Sequence, residues 1–116
     1  MAKPPGPRAR ELLERQKEID SRAVYYPTVI PTAWEVGKGA TIRDVDGNTY
    51  IDFVAGISVL NVGHSNPQVV EAVKRQLDRL THALDIPTAE RIAIVEKLVQ
   101  IAPEGLKGNS KVLFGG

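Results

Sequence analysis

Cysteine is absent from the 116-residue chain, which excludes disulfides, thiolate zinc sites and cysteine nucleophiles. A charge excess is also lacking: 15 Lys and Arg face 14 Asp and Glu, and the formal charge of +1 offers no basic surface for nucleic acid or an anionic membrane. The longest apolar run, Val54–Leu60, is far below the ~20 residues that span a bilayer, and no signal-peptide pattern opens the chain. We therefore expect a cytoplasmic protein with neither a nucleic-acid nor a membrane partner.

Aromatic side chains are scarce, whereas residues that form turns are frequent. One Trp, three Tyr and two Phe stand beside 10 Gly and 8 Pro, and a compact unit of this length buries only roughly 60 to 70% of its unfolded surface. The apolar segment Lys111–Phe114 is typical of a short buried strand, which needs partners, and the pair Gly115-Gly116 normally leads into another element. We therefore expect a truncated chain that does not close its own core.

The N-terminal third begins with a helix and an extended segment. Apolar residues recur near one face of Arg8–Asp20, which predicts a short amphipathic helix. Pro27 and Pro31 disfavour helical backbone, so the sequence predicts an extended conformation over Tyr25–Pro31.

A three-stranded meander follows, because two turn signals divide three short segments. These signals are Gly37–Gly39 and Asp46-Gly47. If the second is a two-residue hairpin turn, two predicted cross-strand pairs follow from it: Val45 with Asn48 and Ile42 with Ile51.

Two further helices have clear start and stop signals. Asn66 is the predicted N-cap of the first, with Pro67 at its first helical position. Thr88 is the predicted N-cap of the second, which Pro103 ends. Apolar residues recur at helical spacing in the first helix: Val69, Val70, Val73, Leu77 and Leu80.

Two loop motifs resemble ligand sites but lack required residues. Gly37–Gly39 precedes a strand, whereas a phosphate loop has a longer glycine motif that opens a helix, so a hairpin turn is favoured. Asp44, Asp46 and Asn48 have the spacing of calcium ligands, but the glycine and terminal glutamate of an EF-hand loop are missing. Neither motif therefore predicts a phosphate or calcium site.

The two histidines match no metal-ligand spacing. His64 is predicted to form a structural hydrogen bond, and His82 is predicted to lie at the end of a helix. The apolar stretch 54–63 is predicted to form a buried loop or irregular strand, in which Gly56-Ile57-Ser58 could let a ligand approach the backbone. From the residues alone, core packing is the simpler interpretation of that loop.

The run Ala40–Pro67 resembles the N-terminal signature of class III aminotransferases, and the similarity extends from about Arg10 to Gly116. Four groups of residues carry it: Asp44–Gly47, Tyr50–Phe53, Gly56-Ile57, and Gly63-His64 with Pro67 opening a helix. The resemblance implies an α/β fold, namely the N-terminal part of a fold-type I pyridoxal-phosphate-dependent transferase. Its elements would be a helix, a three-stranded antiparallel meander, two helices and the start of the large-domain sheet. Residues 1–63 would belong to the small domain and residues 64–116 to the beginning of the large, cofactor-binding domain.

The same resemblance implies a transaminase that passes an amino group from an amino acid or a 4-aminobutyrate-like omega-amino acid to a 2-oxo acid through pyridoxal phosphate. Ile57 corresponds to a family position that projects into the substrate pocket, with Gly56, Ser58 and Tyr26 as further substrate-binding candidates. No lysine of the chain lies in the family's lysine motif, so no catalytic or cofactor-binding residue is assigned here, and the chain alone is expected to be inactive.

Family members are homodimers, so a homodimer is expected. Two alternatives stay open at this stage. One is a racemase or decarboxylase of the same family, and the other is a non-catalytic α/β interaction module that shares only the meander.

Overall fold

A computed structural model describes residues 3–115 of the chain. It forms two compact units that divide between Val73 and Lys74. In chain order the elements are α1 (Pro7–Ile19), α2 (Tyr26–Val29), β1 (Trp34–Lys38), β2 (Thr41–Asp44), β3 (Thr49–Ile51), α3 (Ala55–Ser58), α4 (Pro67–Leu77) and α5 (Ala89–Ile101). The division into a small domain over 1–63 and a large domain from 64 stays a prediction.

The predicted meander is confirmed as an antiparallel sheet in the order β1-β2-β3. Its predicted register is wrong by one residue, because Ile42 lies opposite Tyr50 and Thr41 lies opposite Ile51. Three residues, 45–47, lie between Asp44 and Asn48, and the backbones of these two pair across the turn, with the amide of Asp44 donating to the carbonyl of Asn48 over 2.9 Å. A turn of this length shifts every pair that a two-residue turn would make.

Asp44 fixes this hairpin with its own carboxylate. Oδ1 accepts hydrogen bonds from the backbone amides of Asp46, at 3.0 Å, and Asn48, at 2.8 Å. Oδ2 accepts from the Asn48 side-chain amide at 2.9 Å and from the Tyr50 hydroxyl at 2.8 Å. The Asp44 side chain and the turn therefore form one unit, and the carboxylate of Asp44, one of the three residues with calcium-like spacing, serves hydrogen bonding within the hairpin.

Helix α1 begins on the same hairpin. The Asp46 carboxylate accepts from the backbone amides of Arg8, at 3.0 Å, and Ala9, at 2.9 Å. Those amides are among the first of a helix, which lack partners inside it. A residue from the turn between β2 and β3 therefore caps the helix, and Pro7 occupies its first turn. The predicted helix over Arg8–Asp20 is confirmed to within one residue at each end.

Two predictions for the first unit, over residues 25–31 and 54–63, are wrong. Residues 26–29 form a single helical turn, where an extended segment was predicted, because Pro27 lies in the first turn and needs no amide partner there. The stretch 54–63 is neither strand nor buried loop. It contains the turn α3, and Val54, Val59 and Val62 are more than half exposed.

Helices α4 and α5 begin where the caps predict. Asn66 Oδ1 accepts from the amides of Gln68, at 3.0 Å, and Val69, at 3.3 Å. Thr88 Oγ1 accepts from the amide of Arg91 at 3.1 Å. These contacts are local in sequence, which is why the sequence alone predicts them.

The C-terminal prediction of a buried strand is wrong for the described residues. Residues 111–115 have no regular structure, Leu113 is 91% exposed, and Gly116 lies outside the described range. A strand needs a partner for its backbone groups, and the second unit contains no other strand among its described residues. His82 was predicted to lie at the end of a helix. Helix α4 ends at Leu77, so His82 lies beyond the helix, and its side chain is exposed.

Apolar burial within the described residues is minimal. Ala9 is the one hydrophobic residue among them that is fully buried, whereas the two buried polar residues are Asp44 and Asn48. Phe53 is 92% exposed. Exposed apolar surface on this scale is typical of an interface.

Candidate functional site

The site begins at Asp52, which immediately follows β3. One carboxylate oxygen, Oδ1, accepts hydrogen bonds from the backbone amides of Val54 and Ala55, each at 2.9 Å. The other oxygen, Oδ2, lies 2.7 Å from Nε2 of His64. The side chain of Asp52 is 9% exposed, and both of its oxygens are engaged.

His64 ties this carboxylate to the end of the sheet. Its backbone amide and carbonyl pair with those of Gly39, both at 2.9 Å. Its ring lies against Gly37, where an added Cβ would come within 2.6 Å of Nδ1. The structural hydrogen bond predicted for His64 is confirmed. This histidine lowers the pKa of the Asp52 carboxyl most, followed by the Ala55 amide; burial raises it by less.

Helical turn α3 has a left-handed backbone. Ala55, Gly56, Ile57 and Ser58 have φ angles of 49°, 61°, 58° and 63°. Glycine adopts such angles freely, but a β-branched residue such as isoleucine adopts them only under constraint. The turn is therefore a strained segment held by its surroundings, and the amides that enter it are those bonded by Asp52.

The left-handed turn faces a cleft of about 510 Å³ in the first unit. Most of its lining is apolar or aromatic, and its carboxylate and imidazole are already bonded to each other. The lining residues are Tyr26, Pro27, Ile30, Thr32, Trp34, Ile42, Asp52, Val54, Gly56, Ile57 and His64. Such a cleft suits the carbon chain of a small molecule.

The structure brings three of the four predicted substrate-binding residues to this cleft: Ile57, Gly56 and Tyr26. Ser58 belongs to the same turn but does not line the cleft, and its side chain is exposed. The role of all four in substrate binding stays a prediction.

Trp34 is a wall residue that sequence reasoning missed. Its ring packs edge-on against Tyr50, with the centroids 5.2 Å apart. The Tyr50 hydroxyl in turn donates to the buried Asp44 carboxylate. Burial alone would raise the pKa of Asp44, but the bonds from Asn48, Tyr50 and the turn amides lower it to about 2.

The contribution of Asp52 was also missed, although it lies inside a motif that carries the family resemblance. The alternation of β3 could have shown that Trp34 and Tyr50 share a face, but only with the correct register.

Among residues 3–115 no group of three acidic or imidazole side chains could hold a metal ion. No helix formed by those residues is long and apolar enough to cross a membrane.

Comparison with known proteins places the chain in a family. Residues 24–115 match the family model for class-III aminotransferases. The chain is 44% identical over 117 residues to an alanine/serine racemase of Pyrococcus horikoshii, covering 99% of this chain and 24% of the racemase. It is 51% identical over 71 residues to a Bacillus subtilis protein named "probable 4-aminobutyrate aminotransferase", covering 58% of this chain and 16% of that protein.

A solved structure gives the same result for the fold. The crystal structure of an omega-transaminase from Sphaerobacter thermophilus matches with a TM-score of 0.67 and 35% identity, over 84% of this chain and 23% of that one. The chain belongs to the class-III aminotransferase family, and it has the α/β fold of the matching part of such an enzyme. It spans about a quarter or less of the length of these relatives.

Class-III aminotransferases use pyridoxal phosphate, which an enzyme holds through a lysine amine and polar partners for its ring. No lysine or arginine lines the cleft. Its carboxylate and imidazole are bonded to each other at 2.7 Å. The residues of this cleft therefore do not fit the cofactor by themselves, and no chemical step at the cofactor is derived from them.

Proposed function

We propose that this chain forms an apolar wall of the substrate site in a pyridoxal-phosphate-dependent transaminase. The observation that carries the proposal is the cleft itself, which the strained Ile57 turn lines together with Tyr26 and Trp34. The cofactor would supply the amino-transfer chemistry and would be held by residues outside this cleft. The role of the wall is to bind the carbon chain of the donor and to exclude water from it.

The proposed reaction moves an amino group from an omega-amino acid resembling 4-aminobutyrate to a 2-oxo acid such as 2-oxoglutarate. The amino-bearing carbon of the donor is oxidised to a carbonyl, and the keto carbon of the acceptor is reduced to the amine, so no other oxidant is needed. The apolar side chain of Ile57 and the lack of a cationic side chain in the cleft favour contact with methylene groups. The similarity to the B. subtilis protein supports the same donor class.

Assembly and location are part of the proposal. A homodimer would cover some of the exposed apolar side chains, such as Phe53 and Leu113, which no described residue buries. The lack of cysteine is compatible with a reducing cytoplasm. Residues 1–63 would belong to the small domain and residues 64–116 to the large one.

The test uses the complete protein that carries this chain, purified with pyridoxal phosphate. We expect the visible absorbance of the bound cofactor and production of glutamate from 2-oxoglutarate with 4-aminobutyrate as donor. The Ile57→Ala variant should raise KM for the donor at least about tenfold, because it removes three carbon atoms from the pocket and a difference of one methylene there is already worth about tenfold. Ile19→Ala is the matched control, since Ile19 is 76% exposed on α1 and does not line the cleft.

Two results would overturn the proposal. A complete protein without cofactor absorbance or amino transfer would contradict the reaction. If the Ile57→Ala variant had the same KM for the donor as the Ile19→Ala control, the proposed contact between Ile57 and the donor would be wrong.

Racemisation is the second candidate, because the chain is 44% identical to an alanine/serine racemase over nearly its whole length. A racemase interconverts the two enantiomers of an amino acid and needs no amino acceptor. Conversion of L-alanine to D-alanine without any 2-oxo acid would favour this candidate. A strict requirement for a 2-oxo acid would favour transamination.

A further inference from the structure

We propose that Asp52 is a positioning residue that holds Ile57 in the cleft wall through the backbone of the left-handed turn, and so sets how sharply the site discriminates between donor carbon chains. The part of this proposal that concerns donors depends on the proposed function. The part that concerns the turn depends only on the geometry of the first unit.

The carboxylate of Asp52 is committed to the protein. Oδ1 accepts from two backbone amides, those of Val54 and Ala55, at 2.9 Å each, and Oδ2 lies 2.7 Å from Nε2 of His64. These bonds fill three of the about four acceptor sites of the carboxylate, and the side chain is only 9% exposed, so little of it is left for a substrate. Although Asp52 lines the cleft, its contribution is therefore to hold neighbouring groups in place.

The turn needs such a holder. Ala55, Ile57 and Ser58 have positive φ angles although they are not glycine, and residues other than glycine rarely adopt this left-handed backbone unless surrounding contacts hold it. The two amides that Asp52 binds are those at the entrance of the turn. Without the carboxylate these amides lose their partner, and the backbone can relax toward right-handed angles that turn Ile57 away from the cleft.

The holder is itself anchored to the sheet. Two backbone hydrogen bonds join His64 to Gly39 at the end of β1. The imidazole lies against Gly37, at a distance that leaves no room for a side chain there. Asp52 therefore connects the strained turn to a fixed point of the sheet.

The first measurement uses the complete, cofactor-loaded protein with straight-chain omega-amino acids of three to six carbons as donors. Asp52→Ala should reduce the preference between the best and the next shorter donor about tenfold, mainly through KM, because the Ile57 contact is misplaced. In an Ile57→Ala background the same change should have no further effect on that preference. Asp52→Asn, which keeps an oxygen acceptor and an amide donor toward His64, should restore the preference.

Asp46→Ala is the matched control, because Asp46 also accepts two backbone amides but does so at α1, outside the cleft. The control should leave the donor preference unchanged. An equal loss of preference in both Ala variants would show general destabilisation and overturn the inference. Additive effects of Asp52→Ala and Ile57→Ala would also overturn it, since residues that act through one contact are not additive.

Amide hydrogen exchange provides a second measurement that needs no activity. Asp52→Ala should speed exchange at Val54, Ala55 and Ile57, whereas Asp46→Ala should speed it at Arg8 and in the first turn of α1. If no donor reacts in any variant, the proposed function fails while this measurement still decides the role of Asp52. Unchanged exchange across residues 54–58 in Asp52→Ala, or in Asp52→Leu if the alanine variant does not fold, would overturn the inference.

Discussion

Gly63 lies where the backbones of two segments touch, and replacing it with alanine should open that contact. Its φ is +85°, and an added Cβ would lie 3.0 Å from Cα and 3.1 Å from the carbonyl oxygen of Gly39. The left-handed angle costs about 1 to 2 kcal/mol for any other residue. The two backbone bonds between Gly39 and His64 are each worth roughly 1 kcal/mol, and part of that is lost if the chains separate.

The expected magnitude follows from these opposing contributions. Alanine also restricts the unfolded chain, which offsets about 0.5 to 1 kcal/mol of the cost. The net loss is roughly 1 to 3 kcal/mol for the local pairing, which corresponds to about 5- to 150-fold faster exchange of the Gly39 and His64 amides. The measurement is amide hydrogen exchange under conditions where the rate reports the opening equilibrium.

Gly47→Ala is the matched control for the angle alone. Gly47 has a φ of +86°, nearly that of Gly63, but an added Cβ would meet nothing within 4 Å. Its substitution should speed exchange in the β2–β3 hairpin and leave the Gly39 and His64 amides unchanged. Equal exchange of those two amides in the natural protein and in Gly63→Ala would refute the role of the close contact.

Three further outcomes follow from the structure. Thr88→Ala should cost about 1 kcal/mol at the start of α5, seen as about fivefold faster exchange of the Arg91 amide, whereas Thr88→Ser should keep the cap and the natural rate. The pKa of Asp44 is lowered to about 2, so its stabilisation of the hairpin is complete above about pH 4 and is lost as the pH falls toward 2; a midpoint near 4 for the exchange of the Asn48 amide would contradict this. Burial, and then the bond to Asp44, raises the pKa of the Tyr50 hydroxyl. The protonated hydroxyl therefore stabilises the fold below about pH 10, and this stabilisation is lost as the pH rises through the raised pKa. Tyr50→Phe should remove the tyrosine that ionises at the highest pH from the phenolate absorbance titration.

Local features of the fold could be predicted from the sequence because their causes lie within a few residues. Asn66 and Thr88 cap helices by accepting amides two or three positions away. The helix α1 and the three-stranded meander likewise follow from periodicity and turn residues. Family membership was also predictable, since its motifs are contiguous and lie mainly between residues 40 and 67.

The rest depended on turn geometries that residue preferences alone do not indicate. The register of β2 and β3 shifted by one because the Asp44 carboxylate supports a three-residue turn. The left-handed turn was unpredictable because isoleucine and alanine do not favour positive φ, and the Asp52 carboxylate supports the turn by binding the two amides at its entrance. The strand predicted near the C-terminus failed because strand propensity cannot form a ladder without a partner.

The scarcity of aromatic residues and the abundance of glycine and proline already indicated a chain that buries little by itself, and Ala9 is the one fully buried apolar residue among those described. The sequence by itself determined the helix caps, the meander and the family, because each depends on short-range patterns. Only the tertiary structure decided which carboxylate binds which backbone amides and side chains. Asp46 caps a helix 38 positions earlier in the chain, at Arg8. Asp52 joins the Ile57 turn to a histidine 12 positions later. Contacts between residues so far apart in the sequence form only when the sheet brings the partners together. The cleft therefore exists only in the folded chain.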